Sequence, residues 1–213
     1  MTPDPINRRI GVLISGRGSN LQSLIDAIQG GRLDATIAVV ISSREDAVGL
    51  ERARQAGIET MVLPHRGWTS RDDYDHALAR ELKARDVGLV CLAGFMRVIG
   101  APLIEAFPTA ILNIHPSLLP SFPGVDAQAQ AVAHGVRVSG VTVHFVTREL
   151  DAGPIVLQRA VPVLAEDTAE TLAARILEEE HKAYPEAVAI VLGGGWAIEG
   201  RRFVRTTPGF FSA

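Results

Sequence analysis

The sequence contains a single cysteine, Cys91, among its 213 residues. One thiol cannot form an intramolecular disulfide, and it excludes zinc sites built from several cysteines. We therefore expect a reducing, cytoplasmic compartment. None of the six histidines lies in an H-E-x-x-H motif or at a zinc-binding spacing from cysteine, so the sequence predicts no metal site.

Long apolar runs and an excess of basic charge are also missing. The longest apolar stretches, residues 87–95 and 187–198, fall short of the ~20 residues that a membrane-spanning helix needs. The formal net charge is −3, so overall charge favours neither nucleic acid nor an anionic membrane as a partner. No signal-peptide pattern follows residues 1–9, which we expect to form a disordered leader.

Strand-like and helix-like apolar patterns alternate between residues 10 and 115. Continuous apolar runs predict buried strands at residues 10–15, 36–41, 58–63, 87–93 and 110–114. Apolar residues at helical spacing predict helices near residues 21–28, 47–56 and 70–85. This order favours a Rossmann-like, doubly wound α/β sheet with mostly parallel strands.

The pattern changes after residue 115. Residues 116–124 hold three prolines and predict a rigid loop, and a short helix is expected at 126–134. Strands at 138–146 and 155–163, joined by a turn at 151–154, predict an antiparallel extension of the sheet. A helix at 168–192, bent at Pro185, and a hairpin within 196–211 follow. We expect one domain over residues 10–213, with a phosphate-binding half at 10–115 and a site-completing half at 116–213.

A glycine-containing loop, G-R-G-S-N at residues 16–20, connects the first strand to the first helix. Glycines let backbone N–H groups approach an anion, and a helix N-terminus favours phosphate. Ser19 and Gln22 fit a capping box. The loop matches neither G-x-G-x-x-G nor the P-loop, which disfavours dinucleotides and ATP. An ordinary strand–helix turn explains this segment equally well.

Asn113 and His115 are two residues apart at the carboxyl end of the fifth strand. Residues at this spacing share one face of a strand, and ligands bind at this end of open α/β sheets. An amide can stabilise an oxyanion while an imidazole moves protons. The alternative is a strand-end pair that hydrogen-bonds only to the backbone. Asp151 fits a structural turn, and a functional role for this carboxylate would require that it pairs with His115.

Other polar residues are less informative. His144 fits either the core or a pocket, and Glu180 lies in an E-E-E-H segment that is typical of a solvated helix face. Arg97 could reach an acidic ligand or simply face solvent.

Four motifs, in this order, resemble those of the folate-dependent formyltransferases over about residues 10–205. They are G-R-G-S-N at 16–20, L-A-G-F-M-R at 92–97, N-I-H-P-S-L-L-P at 113–120, and H-F-V with L-D-A-G-P-I at 144–155. The first motif is similar to that of the GAR transformylase group, which acts on phosphoribosylglycinamide (GAR). The resemblance implies the formyltransferase fold and transfer of a formyl group from 10-formyltetrahydrofolate to the GAR amine in purine biosynthesis. Residues 125–128, V-D-A-Q, depart from several relatives.

The resemblance also implies a set of site residues. The catalytic residues would be Asn113 and His115, which stabilise an oxyanion, and Asp151, which relays protons. The residues implied for GAR are Gly18, Ser19, Asn20 and Glu180. Those implied for the folate co-substrate are Arg71, Met96, Arg97, Val98, Ile99 and Asn113.

Three alternatives remain at this point. Methionyl-tRNA formyltransferases normally add a C-terminal nucleic-acid-binding domain, and formyltetrahydrofolate hydrolases an N-terminal regulatory domain. We expect neither domain in this sequence. A non-catalytic nucleotide-binding module would leave Asn113, His115 and Asp151 unexplained together. We expect small-molecule substrates, no nucleic acid or membrane partner, and a monomer or homodimer.

Overall fold

One nine-stranded sheet organises residues 6–206, the part of the chain that the computed structural model describes. The strands are β1 Arg9–Ile14, β2 Thr36–Ser42, β3 Thr60–Val62, β4 Leu89–Leu92, β5 Ile111–His115, β6 Val138–Phe145, β7 Ile155–Pro162, β8 Trp196–Glu199 and β9 Arg202–Arg205. The helices are α1 Ser19–Gln29, α2 Gly49–Gln55, α3 Arg71–Lys83, α4 Ala101–Ala106, α5 Ala127–Ala133 and α6 Ala169–Leu192.

The strand order is β3-β2-β1-β4-β5-β6-β7-β9-β8. Strands β1 to β5 pair in parallel, whereas β6 pairs antiparallel with both β5 and β7. The predicted Rossmann-like sheet with an antiparallel extension is therefore confirmed. The β8–β9 pair is antiparallel, which confirms the strands of the predicted hairpin. Residues 207–211 of that prediction lie outside the described residues.

Alternating side chains of β1 enter two separate cores. Ile10, Val12 and Ile14 pack in a core that also contains residues of α1 and α6, whereas Leu13 packs in a core with α3 and α4. Because successive strand residues point to opposite faces, both faces of the sheet are covered by helices. This burial explains why the parallel strands are continuous apolar runs in the sequence.

Helix α4 and the N-terminal segment were not fully predicted from the sequence. Helix α4 was not predicted, since it is only six residues long and carries a proline in its first turn. Residues 1–5 of the expected leader lie outside the described residues. By contrast, the Asn7 side chain donates hydrogen bonds to the backbone and carboxylate of Asp86, at 2.9 and 2.8 Å, and Arg9 begins β1.

Helix α6 is tied to the middle of the sheet by a buried phenol. It continues through Pro185 as one element of 24 residues. The Tyr184 hydroxyl lies 2.8 Å from the carbonyl oxygen of Leu92 on β4 and 3.2 Å from that of Leu112 on β5. Tyr184 is fully buried, so these carbonyls replace the water that a phenol would otherwise bind.

Candidate active site

Four polar side chains meet where β5, β6 and the β6–β7 turn come together. The Asp151 carboxylate lies between two histidines, with Oδ2 3.5 Å from His115 Nδ1 and Oδ1 3.7 Å from His144 Nε2. Asn113 Nδ2 lies 3.2 Å from the same His144 nitrogen. The two histidines and Asp151 are at least nine-tenths buried. The structure thus brings together the three residues expected to be catalytic and adds His144.

Backbone constraints hold Asp151 in this position. Its φ of 51° is left-handed, a conformation that costs a non-glycine residue about 1–3 kcal/mol. The backbone N–H of Gly124 donates a 2.7 Å hydrogen bond to Asp151 Oδ2, which joins two loops at the carboxylate. A Cβ on Gly153 would lie 1.8 Å from the Phe145 carbonyl oxygen, so the turn needs glycine there. The D-x-G motif at residues 151–153 therefore forms a turn of fixed shape that holds the Asp151 carboxylate in place.

Backbone carbonyls select one tautomer for each histidine. A carbonyl can only accept, so His115 Nε2 donates to Phe122 at 2.8 Å and leaves Nδ1 facing Asp151. His144 Nδ1 donates to the Phe145 carbonyl at 2.9 Å, and burial lowers the pKa of His144, which favours its neutral form. Neutral Nε2 then accepts from Asn113 Nδ2. The second N–H of that amide stays available to a substrate oxygen.

The proline-containing loop after β5 is fixed from the neighbouring strands. Thr142 on β6 accepts a 3.0 Å hydrogen bond from the Leu119 N–H and donates a 2.7 Å bond to the Ser117 carbonyl. Gln158 on β7 donates to the Leu119 carbonyl at 2.9 Å. These bonds fix the start of the loop that supplies the carbonyl of Phe122 to His115.

Sequence reasoning left His144 undecided, although its strand carried a signal. In antiparallel pairing, Asn113 lies opposite His144 and His115 lies opposite Thr142. Thr142 and His144 therefore share the strand face that meets the two candidate residues of β5. The two-residue spacing of polar side chains in an otherwise apolar strand indicates a polar site on that face.

The glycine-containing loop forms the N-terminus of α1, but the predicted capping box is wrong. Gly18 is the N-cap residue, with φ 69° and no side-chain cap, because the helix begins at Ser19 itself. The Gln22 side chain instead donates to Asp26 at 2.8 Å. Ser19 lines a cavity of about 330 Å³, together with Gln22, Ser23, Asp26, Arg32, Arg52 and His181. A helix N-terminus that opens onto a cavity suits an anion.

Asn20 and Glu180 form a buried pair, in contrast to the solvated helix face suggested by the sequence pattern. Asn20 Nδ2 donates a 2.7 Å hydrogen bond to Glu180 Oε2, and both residues are 8% exposed. Burial raises the pKa of Glu180, and the Asn20 hydrogen bond and the Arg17 charge only partly oppose this shift. The Asn20 Oδ1 atom has no hydrogen-bond partner among the described residues. The pair thus combines a buried carboxyl of raised pKa with an unsatisfied amide oxygen, a combination found at functional sites.

The residues expected to contact folate lie on two neighbouring segments. The Met96 N–H donates a 2.9 Å hydrogen bond to Ser15 Oγ. Met96 is 73% exposed, and Val98 is about half exposed. Arg97 is exposed as well, and Arg71 Nε lies 3.5 Å from the position that a Cβ on Gly100 would occupy. Ile99 differs, because its side chain packs in the core with α3 and α4. Ile99 is thus a buried residue, unlike the exposed Met96, Arg97 and Val98 before it.

Two further observations concern function classes. Within residues 6–206, no group of three or more His, Cys, Asp or Glu side chains is placed to hold a metal ion. No helix of the described chain has the length and apolar character needed to cross a membrane.

Comparisons with known proteins identify the family. The model of the formyl transferase family matches residues 8–188. Phosphoribosylglycinamide formyltransferase from Escherichia coli is 44% identical over 192 residues, which are 90% of this chain and 88% of that protein. The trifunctional purine biosynthetic protein adenosine-3 of Drosophila melanogaster is 48% identical over 88% of this chain. The match spans only 14% of the length of that larger protein.

A solved structure gives the same result. Glycinamide ribonucleotide transformylase 1 from Symbiobacterium toebii superposes with a TM-score of 0.93 and 55% sequence identity. The match covers 94% of this chain and 95% of that one. The chain therefore belongs to the formyl transferase family.

Proposed function

We propose that the chain transfers the formyl group of 10-formyltetrahydrofolate to the amine of GAR in purine biosynthesis. The observation that carries the proposal is the buried cluster in which Asp151 lies between His115 and His144 beside Asn113. Two relatives of nearly the same length are named for this reaction on the same acceptor. The other activities of the trifunctional relatives are not part of the proposal.

The cluster can serve each step of a formyl transfer. The neutral amine of GAR attacks the formyl carbon and forms a tetrahedral oxyanion. Asn113 donates its second amide hydrogen to that oxygen, and protonated His115 stabilises it through Nδ1. Asp151 takes the proton that the attacking amine loses. As the bond to the folate nitrogen breaks, His115 gives its Nδ1 proton to that nitrogen and regains a proton from Asp151, and the folate leaves as tetrahydrofolate.

The two substrates would occupy neighbouring parts of the surface. The phosphate of GAR would bind at Gly18, Ser19 and Asn20, and Glu180 would meet its amino end. Arg71 and the segment from Met96 to Ile99 would line the folate site. The substrates are small molecules in this proposal, and the cytoplasm is the compartment that the single cysteine favours.

Turnover of purified variants tests the proposal. We expect His115→Ala and Asp151→Ala each to lower kcat by about 100-fold or more, the scale of losing an acid–base group or an oxyanion donor. His76→Ala is the matched control, since this histidine is exposed on α3 and is not among the residues assigned to the site. It should keep kcat within about twofold. Near wild-type turnover by folded His115 and Asp151 variants would contradict the assigned roles.

The same assay separates the alternatives. Mixing the protein with 10-formyltetrahydrofolate, with and without GAR, reports deformylation by absorbance. Deformylation that needs GAR supports the proposal, and deformylation without GAR indicates a hydrolase. Folate binding without turnover indicates another formyl acceptor.

A further inference from the structure

Residues 96–100, here called the folate segment, have no regular secondary structure and are held at both ends. At the first end, the Met96 N–H donates to the hydroxyl of Ser15, the residue that follows β1, at 2.9 Å. At the second end, the Gly100 N–H donates to Asp75 Oδ2 at 2.6 Å. One side chain at the end of β1 and one on α3 therefore anchor the segment.

Between these anchors the backbone forms no hydrogen bond with the rest of residues 6–206. Neither the N–H groups nor the carbonyls of Arg97, Val98 and Ile99 have a partner there. The Ile99 side chain packs in the core, but an apolar contact is non-directional. Hydrogen bonds are directional, so the two anchors determine which way the backbone of the segment faces.

Asp75 is a buried carboxylate that packing alone does not explain. It is 1% exposed and shares a face of α3 with the buried residues Ala79 and Leu82, four and seven positions later. Burial raises the pKa of Asp75, and the hydrogen bond from Gly100 only partly opposes this shift. An apolar side chain would fill the position without the cost of burying a charge.

The same carboxylate lies near Arg71, which is also proposed to line the folate site. Arg71 precedes Asp75 by one helical turn, and its charge lowers the pKa of that carboxyl. A Cβ on Gly100 would lie 2.7 Å from Asp75 Oδ2 and 3.5 Å from Arg71 Nε. Asp75 is therefore placed where the two parts of the chain proposed to bind folate come together.

We infer that Asp75 and Ser15 are positioning residues for the co-substrate, which hold the folate segment in the shape that receives the folate. The inference rests on the proposed function. Each residue acts through a backbone N–H of the segment, and the bond to the Asp75 carboxylate is the stronger because it is charge-assisted. The alternative is a purely structural role, in which Asp75 only stabilises the start of α4 at its N-cap Gly100.

Steady-state kinetics with both substrates separates the two roles. Asp75→Ala should raise the KM for 10-formyltetrahydrofolate by about 10- to 100-fold, the scale of a hydrogen bond to a charged group. The KM for GAR and kcat at saturating folate should stay within about twofold. Asp75→Asn keeps an oxygen acceptor, so the folate KM should rise only about 3- to 10-fold. A purely structural role would reduce the amount of folded enzyme, which lowers kcat and leaves both KM values unchanged, and that result would overturn the inference.

Asp73→Ala is the matched control for the lost charge. Asp73 lies on the same helix, but it is exposed and its carboxylate accepts from Ser70 at 2.9 Å. The folate KM of this variant should stay within about twofold of wild type. A rise equal to that of Asp75→Ala would overturn the inference.

Gly100→Ala perturbs the same hydrogen bond from the other side. Its Cβ would displace the Asp75 carboxylate, while the φ of −100° is ordinary for alanine. The folate KM should therefore rise as in Asp75→Ala. The double variant should show no greater rise than Asp75→Ala alone, because the contact is already lost, and additive rises would overturn the inference. If Asp75→Ala does not fold, Asp75→Asn and Gly100→Ala carry the test.

The second anchor has its own matched pair of variants. Ser15→Ala should raise the folate KM by about 3- to 10-fold, the scale of a neutral hydrogen bond. Ser43→Ala removes only the 2.7 Å contact between the Ser15 and Ser43 hydroxyls, so its folate KM should stay within about twofold. Equal folate KM values for the two variants would overturn the role of Ser15.

Failure of the proposed function is distinguishable from failure of this inference. If the wild-type protein does not formylate GAR, the proposed function fails, and calorimetric binding of tetrahydrofolate then decides the present point. Binding that weakens tenfold or more in Asp75→Ala, but not in Asp73→Ala, supports the inference. Equal affinity of wild type and Asp75→Ala, or no binding by wild type, overturns it.

Discussion

Replacing Glu180 by glutamine should stabilise the protein while impairing its proposed activity. In wild type, Glu180 is a buried carboxylate that accepts one hydrogen bond from Asn20. The Oδ1 atom of the same Asn20 has no partner among the described residues. The new amide removes a buried charge and brings an N–H group to this orphaned oxygen. The two amides can then form a reciprocal pair.

The expected gain follows from these two contributions. Relief of the buried charge and formation of one buried hydrogen bond are each worth on the order of 1 kcal/mol. Together they should raise the free energy of unfolding by about 2 kcal/mol near pH 8. For a chain of this size, that gain corresponds to a rise in Tm of about 4–8 °C.

The gain should depend on pH with a defined sign. Burial raises the pKa of folded Glu180 above its ordinary value near 4.5. The stability that wild type derives from the protonated acid is therefore full below pH 4.5 and is lost as pH rises through the folded pKa. The protonated acid can also donate to Asn20. The difference between variant and wild type should thus be small at pH 4 and largest at pH 8.

Urea unfolding and steady-state kinetics on the same samples provide the measurements. Glu178→Gln is the control, because Glu178 is exposed on the same helix, and it should change stability by less than about 0.5 kcal/mol. The kcat/KM for GAR should fall at least tenfold in the Glu180 variant, with the folate KM unchanged. A Glu180→Gln protein that is less stable than wild type at pH 8 would refute the reasoning. Unchanged GAR kinetics would remove Glu180 from the acceptor site.

Two other predictions use features of the same loops. His144→Phe removes the acceptor that orients Asn113, and kcat should fall about tenfold with little change in KM. Burial lowers the pKa of His144, so the stability that the neutral ring contributes is present above pH 6.5 and is lost as pH falls through the folded pKa. Urea unfolding at pH 7.5 and pH 5 should show this loss of stability in wild type but not in the variant. Gly18→Ala should cost about 2–4 kcal/mol by thermal unfolding, because left-handed strain adds to a clash with Gly49. Gly31→Ala has the same φ of 69° and open space, so it should cost only about 1 kcal/mol, and equal costs for the two would refute the clash.

The sheet could be predicted from the sequence because its parallel strands are buried on both faces. The apolar run around Cys91 matches β4, where the thiol is fully buried. Helix α4 has no comparable signal, since six residues complete fewer than two helical turns. The capping box failed because Gly18 can adopt a left-handed conformation and begin the helix without a side-chain cap.

Only part of the candidate site could be predicted from the sequence. The spacing of Asn113 and His115 follows from strand geometry alone, so their shared face could be predicted. Their contacts with His144 and Asp151 depend on the register between β5 and β6 and on a left-handed turn residue, which are tertiary features. The buried state of Glu180 likewise depends on α1 packing against α6, and neither helix carries that information by itself.

The phenol of Tyr184 links the two halves of the proposed reaction. Tyr184 lies one helical turn after Glu180, and its hydroxyl reaches the main chain of Leu112, the residue before Asn113. The span between Glu180, proposed to meet the acceptor amine, and Asn113, proposed to bind the oxyanion, is therefore set by a helix and a buried strand. A misplacement of 1 Å at a reacting centre can cost about 100-fold in rate. The relative placement of these two proposed site residues is thus set during folding, before either substrate binds.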